Sequence, residues 1–189
     1  MDRPAWLEGY RPAGEDEEHA LARLRRLHET VGSPYDRALP LHLTGSAVVV
    51  DLTSRRVLLR WHERQGAWLQ VGGHGDPGEL HPLSVALREA REETGLDDLA
   101  PFPGGAVRPL HIVIVPVRGR GDEPAHEHAD VRYLLATASP GLARPEHPGA
   151  PLAWVPIDEA TESVEPNLAE TLSRASEVLR SASGPNASA

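Results

Sequence analysis

The sequence predicts an α/β protein: a mixed β-sheet with helices packed on it, preceded by a helical extension. Three observations carry this. Three segments repeat apolar residues at helical spacing, and six short runs read as strands. These segments follow one another as helix, strands, central helix, strands, final helix, the order of a sheet covered by helices. Finally, 189 residues with 40% hydrophobic content suffice for one domain with a full core.

Residues 1–14 are punctuated by Pro4, Gly9, Pro12 and Gly14 and read as irregular. "EDEEHALARLRRLHETVGSP" then reads as a helix. Its acids crowd the first turn, where the helix dipole favours them. Leu21, Leu24, Leu27 and Val31 recur on one side, and Gly32 with Pro34 stops it. One helix cannot bury its own apolar face, so residues 1–38 are expected to pack on the main domain, residues 39–183. "LHLTGSAVVV" and "RRVLLRWHER" read as strands around the turn "DLTS", and "AWLQVGG" as a third strand running into glycines. A helix is expected from Pro82 to Thr94, started by proline and stopped by Gly95. "AVRPLHIVIVPV", "ADVRYLLATA" and "LAWVPI" read as further strands, and "PNLAETLSRASEVLRSAS" as the last helix. Residues 184–189 are expected to fray.

Composition removes several chemistries. The chain contains neither cysteine nor lysine, so thiol nucleophiles, disulfides, zinc–thiolate clusters, Schiff bases and a Walker A lysine are excluded. The net charge of −9 argues against a stable nucleic-acid complex. No apolar run is long enough for a membrane span, and no secretory signal is visible, so a cytoplasmic location is expected. A phosphate-bearing substrate would need positive charge from elsewhere, and a divalent cation on carboxylates is the obvious source.

The stretch "REAREETG" supplies such carboxylates. Glu89, Glu92 and Glu93 stand at i, i+3 and i+4 and share one side of the central helix. Leu83, Leu87 and Ala90 form an apolar stripe on a roughly opposed side. Arg88 and Arg91 flank the acids. A solvated, ion-paired face would also account for three glutamates. The upstream "LQVGGHGDPGEL" tilts the reading, because a strand ending in glycines lets backbone carbonyls approach a cation beside those acids.

These residues resemble the signature of the Nudix family, G-x5-E-x7-R-E-U-x-E-E-x-G-U, with U a bulky apolar residue. Gly73 and Glu79 match its first half, and Arg88 to Leu96 its second, with Ala90 a small stand-in for U. The spacer between Glu79 and Arg88 holds eight residues where the signature has seven, and the extra one falls near "LHPL". The resemblance implies a Nudix-type α/β/α sandwich. It implies hydrolysis of a diphosphate linked to another moiety, usually a nucleoside, with Mg²⁺ or Mn²⁺. Carried over by position, Glu92 and Glu93 are the main metal ligands and Glu89 is a ligand or a base for water. The Gly73 carbonyl adds a ligand, and Arg88 orients the glutamates. Glu79 and Glu127 are further candidates, Glu127 as a loop acid that completes the metal site or acts as base.

Substrate marks are weak. Where diadenosine polyphosphate hydrolases carry a tyrosine, this chain has "IVI". Pro109 lies 13 residues past Leu96, a poor fit to the proline of ADP-ribose enzymes. Trp61, His62, Trp68 and His74 could line a pocket. "HEHADVRYL" places His128, Asp130 and Arg132 on one side if its strand starts early. The expected partner is a small nucleotide or diphosphate, with homodimerisation left open. The competing reading is a Nudix-fold binding or regulatory module without turnover. An isomerase-like chemistry is disfavoured because the cysteine it resembles is missing.

Overall fold

The structure is a computed structural model that describes residues 4–105, 107–122 and 124–182. The expected frayed tail lies outside the described residues. The elements, in chain order, are α1 (Glu15–Thr30), β1 (Leu41–Asp51), β2 (Arg56–His62), β3 (Ala67–Leu69) and β4 (Val71–His74). After them come α2 (Pro82–Thr94), β5 (Ala100–Pro101), β6 (His111–Val117), β7 (His126–Thr137), β8 (Leu152–Pro156), α3 (Ile157–Ser163) and α4 (Pro166–Ala182).

One eight-stranded mixed sheet runs β3-β2-β1-β7-β5, with β4 also on β1, β6 on β7 and β8 on β2. The central pair, β1 and β7, is parallel from Leu41 opposite Glu127 to Asp51 opposite Thr137. The other edge of β1 is shared. Its middle, residues 44–47, pairs with β4 and its last three residues with β2. That sharing explains why "AWLQVGG" is two strands rather than the single one expected: the chain leaves β2 at Leu69, turns at Gln70 and joins β1 at Val71.

Alternation along β1 divides the core. Leu43, Ala47 and Val49 face Val85, Ala86 and Ala90 of α2 together with Leu21 and Leu24 of α1. Val48 and Val50 face Ile157 of α3 and Leu168 and Leu172 of α4. The result is an α/β/α sandwich with α1 and α2 on one face and α3 and α4 on the other. Trp6, Leu7 and Tyr10, ahead of α1, are buried in the first of these layers.

Three local expectations change. The apolar stripe of α2 is centred on Val85, Ala86 and Ala90, with Leu83 and Leu87 at its margin. Strand β7 begins at His126 rather than Ala129, because its pairing with β1 and β6 reaches back to Glu127 and His126. The short elements β5 and α3 escape sequence reading. One spans two residues, and the other buries only Ile157 and Ala160.

Candidate active site

Helix α2 starts on His81, whose Nδ1 accepts the N–H of Leu83, followed by Pro82 in its first turn. It ends on Gly95, whose φ of 66° is the left-handed cap conformation that glycine adopts without strain. The longer spacer is absorbed ahead of this start. Glu79 closes a turn onto Asp76, Leu80 stands 84% exposed, and the helical register from Leu83 onward is regular.

Arg88 organises the carboxylates. Its Nε and Nη2 donate to Glu79 at 3.3 and 3.1 Å, and its Nη1 donates to Glu89 at 3.1 Å and Glu92 at 2.9 Å. Nη2 also donates to the carbonyl of His74 at 2.7 Å, tying the helix to the end of β4. A bifurcated guanidinium of this kind fixes acids in place more than a flexible ammonium could.

The three glutamates sit at three depths. Glu92 is exposed, Glu89 is half-buried and Glu93 is buried. Helical geometry explains this. Glu93 lies about one turn from buried Ala90 and so shares the buried side of the helix. Its carboxylate accepts the N–H of Gly72 at 3.0 Å and meets Nε of Arg60, on β2, at 3.3 Å in an ion pair. Glu89 packs on Gly73, where a Cβ would fall 2.6 Å from its carboxylate, so only glycine fits opposite it. Arg88 draws Glu89 and Glu92 together onto its Nη1, while Glu93 is held on the Gly72 N–H and Arg60.

Burial sets the electrostatics. It pushes the Glu93 carboxyl up to about 7, against the pull of the Gly72 N–H and Arg60, and the charge of Glu89 adds to the rise. Burial raises Glu89 as well, with Arg88 opposing and Glu92 adding repulsion. Two carboxyls are thus held high by burial beside a glycine-rich strand end, each with one arginine against it. Their hard oxygen donors suit a divalent cation of the Mg²⁺ kind, which would relieve both.

Across the sheet, β7 carries a polar row on the α4 side. Asp130 is buried and accepts from Thr44, Ser46, Gln70 and Arg132. Arg132 continues to Asn167 and Thr171 of α4. Asp130 and Arg132 are thus paired on every side, which marks the row as the polar seam between sheet and helix.

The profile described as the NUDIX domain matches residues 40–175. The chain belongs to the Nudix family. Solved structures agree in fold. A NUDIX-family hydrolase from Clostridium perfringens is 22% identical with a TM-score of 0.54, over 75% of this chain and 97% of that one. The Ap4A hydrolase of C. elegans, as a binary complex, is 18% identical with a TM-score of 0.57, over 74% and 98%. A MutT NUDIX hydrolase from Burkholderia pseudomallei is 22% identical with a TM-score of 0.51, over 71% and 97%. At such identities the structures speak to fold. No curated protein sequence matches the chain. The Nudix match begins at Pro40, so α1 precedes it, although α1 shares its core.

Within this Nudix hydrolase the remaining predicted residues fall in different places. Glu79 lies on Arg88. Glu127 is not a loop acid: it is the second residue of β7, paired with Leu41 and Pro116, and Arg23 of α1 donates to both its oxygens. Trp61 and Trp68 pair edge to face across β2 and β3 at 5.6 Å, and Trp68 also packs on the α4 layer. Arg60, beside Glu93, was not legible in the sequence. Only the pairing of β2 around β1 brings it there. The grouping of His42, His74, His126 and His128 at one end of the sheet was missed for the same reason. Among the described residues no helix is long and apolar enough to cross a membrane.

Proposed function

We propose that this Nudix hydrolase cleaves the phosphoanhydride bond of a nucleoside diphosphate derivative, converting NDP-X to NMP and P-X, with Mg²⁺ or Mn²⁺. The observation that carries the proposal is the pair of desolvated carboxyls, Glu89 and Glu93, set against Gly72 and Gly73 and steadied by Arg88 and Arg60. Glu92, Glu93, Glu89 and the Gly73 carbonyl would hold the cation. When bound, the cation would neutralise the diphosphate and acidify a water so that it can attack near neutral pH.

The protein's own groups do the rest. Arg88 keeps Glu89 and Glu92 at fixed angles and, through the His74 carbonyl, locks the helix to β4. Such positioning is worth orders of magnitude when reacting atoms must align. Glu89, high in pKa and half-buried, stands where it can ligate or accept the proton of water. Glu79 takes no exposed position of its own and braces Arg88 from the far side. With a net charge of −9, the chain relies on the cation and its arginines to attract a polyanion.

The test is a panel of nucleoside di- and triphosphates, dinucleotides and nucleotide sugars with Mg²⁺, products read by ³¹P NMR. Hydrolysis of at least one class to NMP is expected, with Glu92→Gln slower by on the order of a thousandfold, about 4 kcal/mol of barrier. A folded, Mg²⁺-binding protein that turns over nothing in the panel would point instead to a binding module.

A further inference from the structure

Four histidines from three strands meet at one end of the sheet. His42 and His128 are register partners on parallel β1 and β7. His74, the last residue of β4, pairs with Thr44, two residues along β1 from His42. His126 precedes His128 by two residues, so strand alternation turns both rings to the same face. The His42 ring lies 5.1, 5.2 and 4.9 Å from those of His74, His126 and His128. His74 and His128 are 4.8 Å apart, and His126 and His128 are 5.0 Å apart.

The nitrogens, not only the rings, converge. One ring nitrogen each from His42, His74 and His128 lies within 4.8 Å of the other two. Nε2 of His126 is 3.1 Å from Nε2 of His128. Metal–imidazole bonds of about 2.0–2.1 Å in a tetrahedron put ligand nitrogens roughly 3.3–3.4 Å apart, so His126 and His128 are already at ligand spacing, and an ion would draw the His42, His74 and His128 nitrogens in from within 4.8 Å.

Protons are placed to suit. Nδ1 of His42 lies 3.1 Å from the carbonyl of Leu39, and Nδ1 of His126 lies 3.0 Å from that of Pro124. A carbonyl only accepts, so each Nδ1 carries the proton and each Nε2 keeps its lone pair. This is the outer-shell arrangement that orients metal-bound histidines. The second observation is independent of the clustering. His42 is 1% exposed, and its Nε2 is buried with no hydrogen-bond partner. A buried acceptor without a donor is costly and rare.

We propose that His42, His74, His126 and His128 bind a first-row transition-metal ion of the Zn²⁺ class, at a site separate from the carboxylates of α2. Imidazoles favour Zn²⁺, Ni²⁺ or Cu²⁺ over Mg²⁺, which prefers oxygen, so the two sites sort cations by ligand type. The nearby acid Asp130 is already taken by Arg132, Thr44, Ser46 and Gln70. On binding, His128 moves its proton to Nδ1 and gives up its contact with His126. The ion clamps β1, β4 and β7 together. It also fixes the strand end that carries Gly72, Gly73 and the His74 carbonyl on which Arg88 rests.

The experiment uses the full chain free of any affinity tag, stripped with chelator and titrated with Zn²⁺ against a chromogenic competitor in excess Mg²⁺. One Zn²⁺ per chain is expected, with affinity on the order of 100-fold weaker in His128→Asn and in His42→Gln, and unchanged within about twofold in Glu93→Gln. Wild type that takes up no Zn²⁺ at micromolar concentration overturns the proposal. So does binding that survives both histidine changes or is lost in Glu93→Gln. If the buried His42→Gln does not fold, X-ray absorption on wild type loaded with Zn²⁺ decides, and fewer than three imidazoles around the ion rejects the site.

Discussion

Glu93 is the residue on which stability and proposed activity pull in opposite directions. Its carboxyl rises from 4.5 to about 7 on folding, chiefly through burial. The folded, metal-free protein therefore holds this proton more tightly than the unfolded chain does. The associated stability is complete below about pH 4.5 and is lost as pH rises through about 7. Glu93→Gln removes that loss. In chelator, the variant should gain about 2.5 kcal/mol on wild type between pH 5 and pH 8 by urea denaturation, while Mg²⁺ binding is largely abolished. A difference that does not change with pH would show that the Glu93 carboxyl is not desolvated. Glu79 acts at one remove. Its carboxylate is held low by Arg88, although burial works the other way. Glu79→Gln keeps one hydrogen bond and drops the charge, so turnover on whichever substrate the panel identifies should fall about tenfold, against on the order of a thousandfold for Glu92→Gln. Equal losses in the two would mean that Glu79 meets the substrate or cation directly.

At the scale of elements, α1 behaves as part of the sandwich. Leu24 is fully buried between α1 and the sheet. Glu17 accepts from Tyr10, from the backbone N–H groups of Ala13 and Ile112, and from Arg174 of α4 at 2.7 Å. One buried carboxylate thus joins the segment before α1, the edge strand β6 and the last helix. Hydrogen bonds and Arg174 hold Glu17 ionised although burial opposes it. Glu17→Ala leaves Arg174 and the Ile112 N–H without their partner and should cost on the order of 3 kcal/mol, read as a lower urea midpoint. Mg²⁺ affinity of the folded variant should be unchanged, because no ligand comes from α1. A folded Glu17→Ala protein that no longer binds Mg²⁺ would assign α1 a part in the site.

For the whole molecule, the proposed cation binding would be linked to folding. A Mg²⁺ bound only by the native state at 100 times its Kd adds about 2.7 kcal/mol. For a domain of this size that is roughly 5–10 °C in melting temperature. Calorimetry should show this rise with MgCl₂ and its absence in Glu93→Gln. An equal rise in both would place Mg²⁺ away from Glu93. The −9 net charge adds a general repulsion that salt screens, so KCl at matched ionic strength is the reference.

The sequence alone determined the helix that bears the acids, its start at Pro82, its stop at Gly95 and the spacing of Arg88, Glu89, Glu92 and Glu93. These are local facts: ring and φ constraints at the ends and a fixed 100° step between them. It also determined the α/β class, because helical and strand periods differ plainly in the longer segments. What it could not determine depends on contacts between distant segments. The depth of each glutamate follows from how α2 seats on β1 and β4. The presence of Arg60 beside Glu93 follows from β2 pairing with the end of β1 and then with β3 and β8. The pairing of Glu127 with Arg23 joins residues 104 apart in sequence. The four histidines lie on three strands whose register brings them together. Only the tertiary structure decided these points, because strand register and helix seating come from burying both faces of one sheet at once.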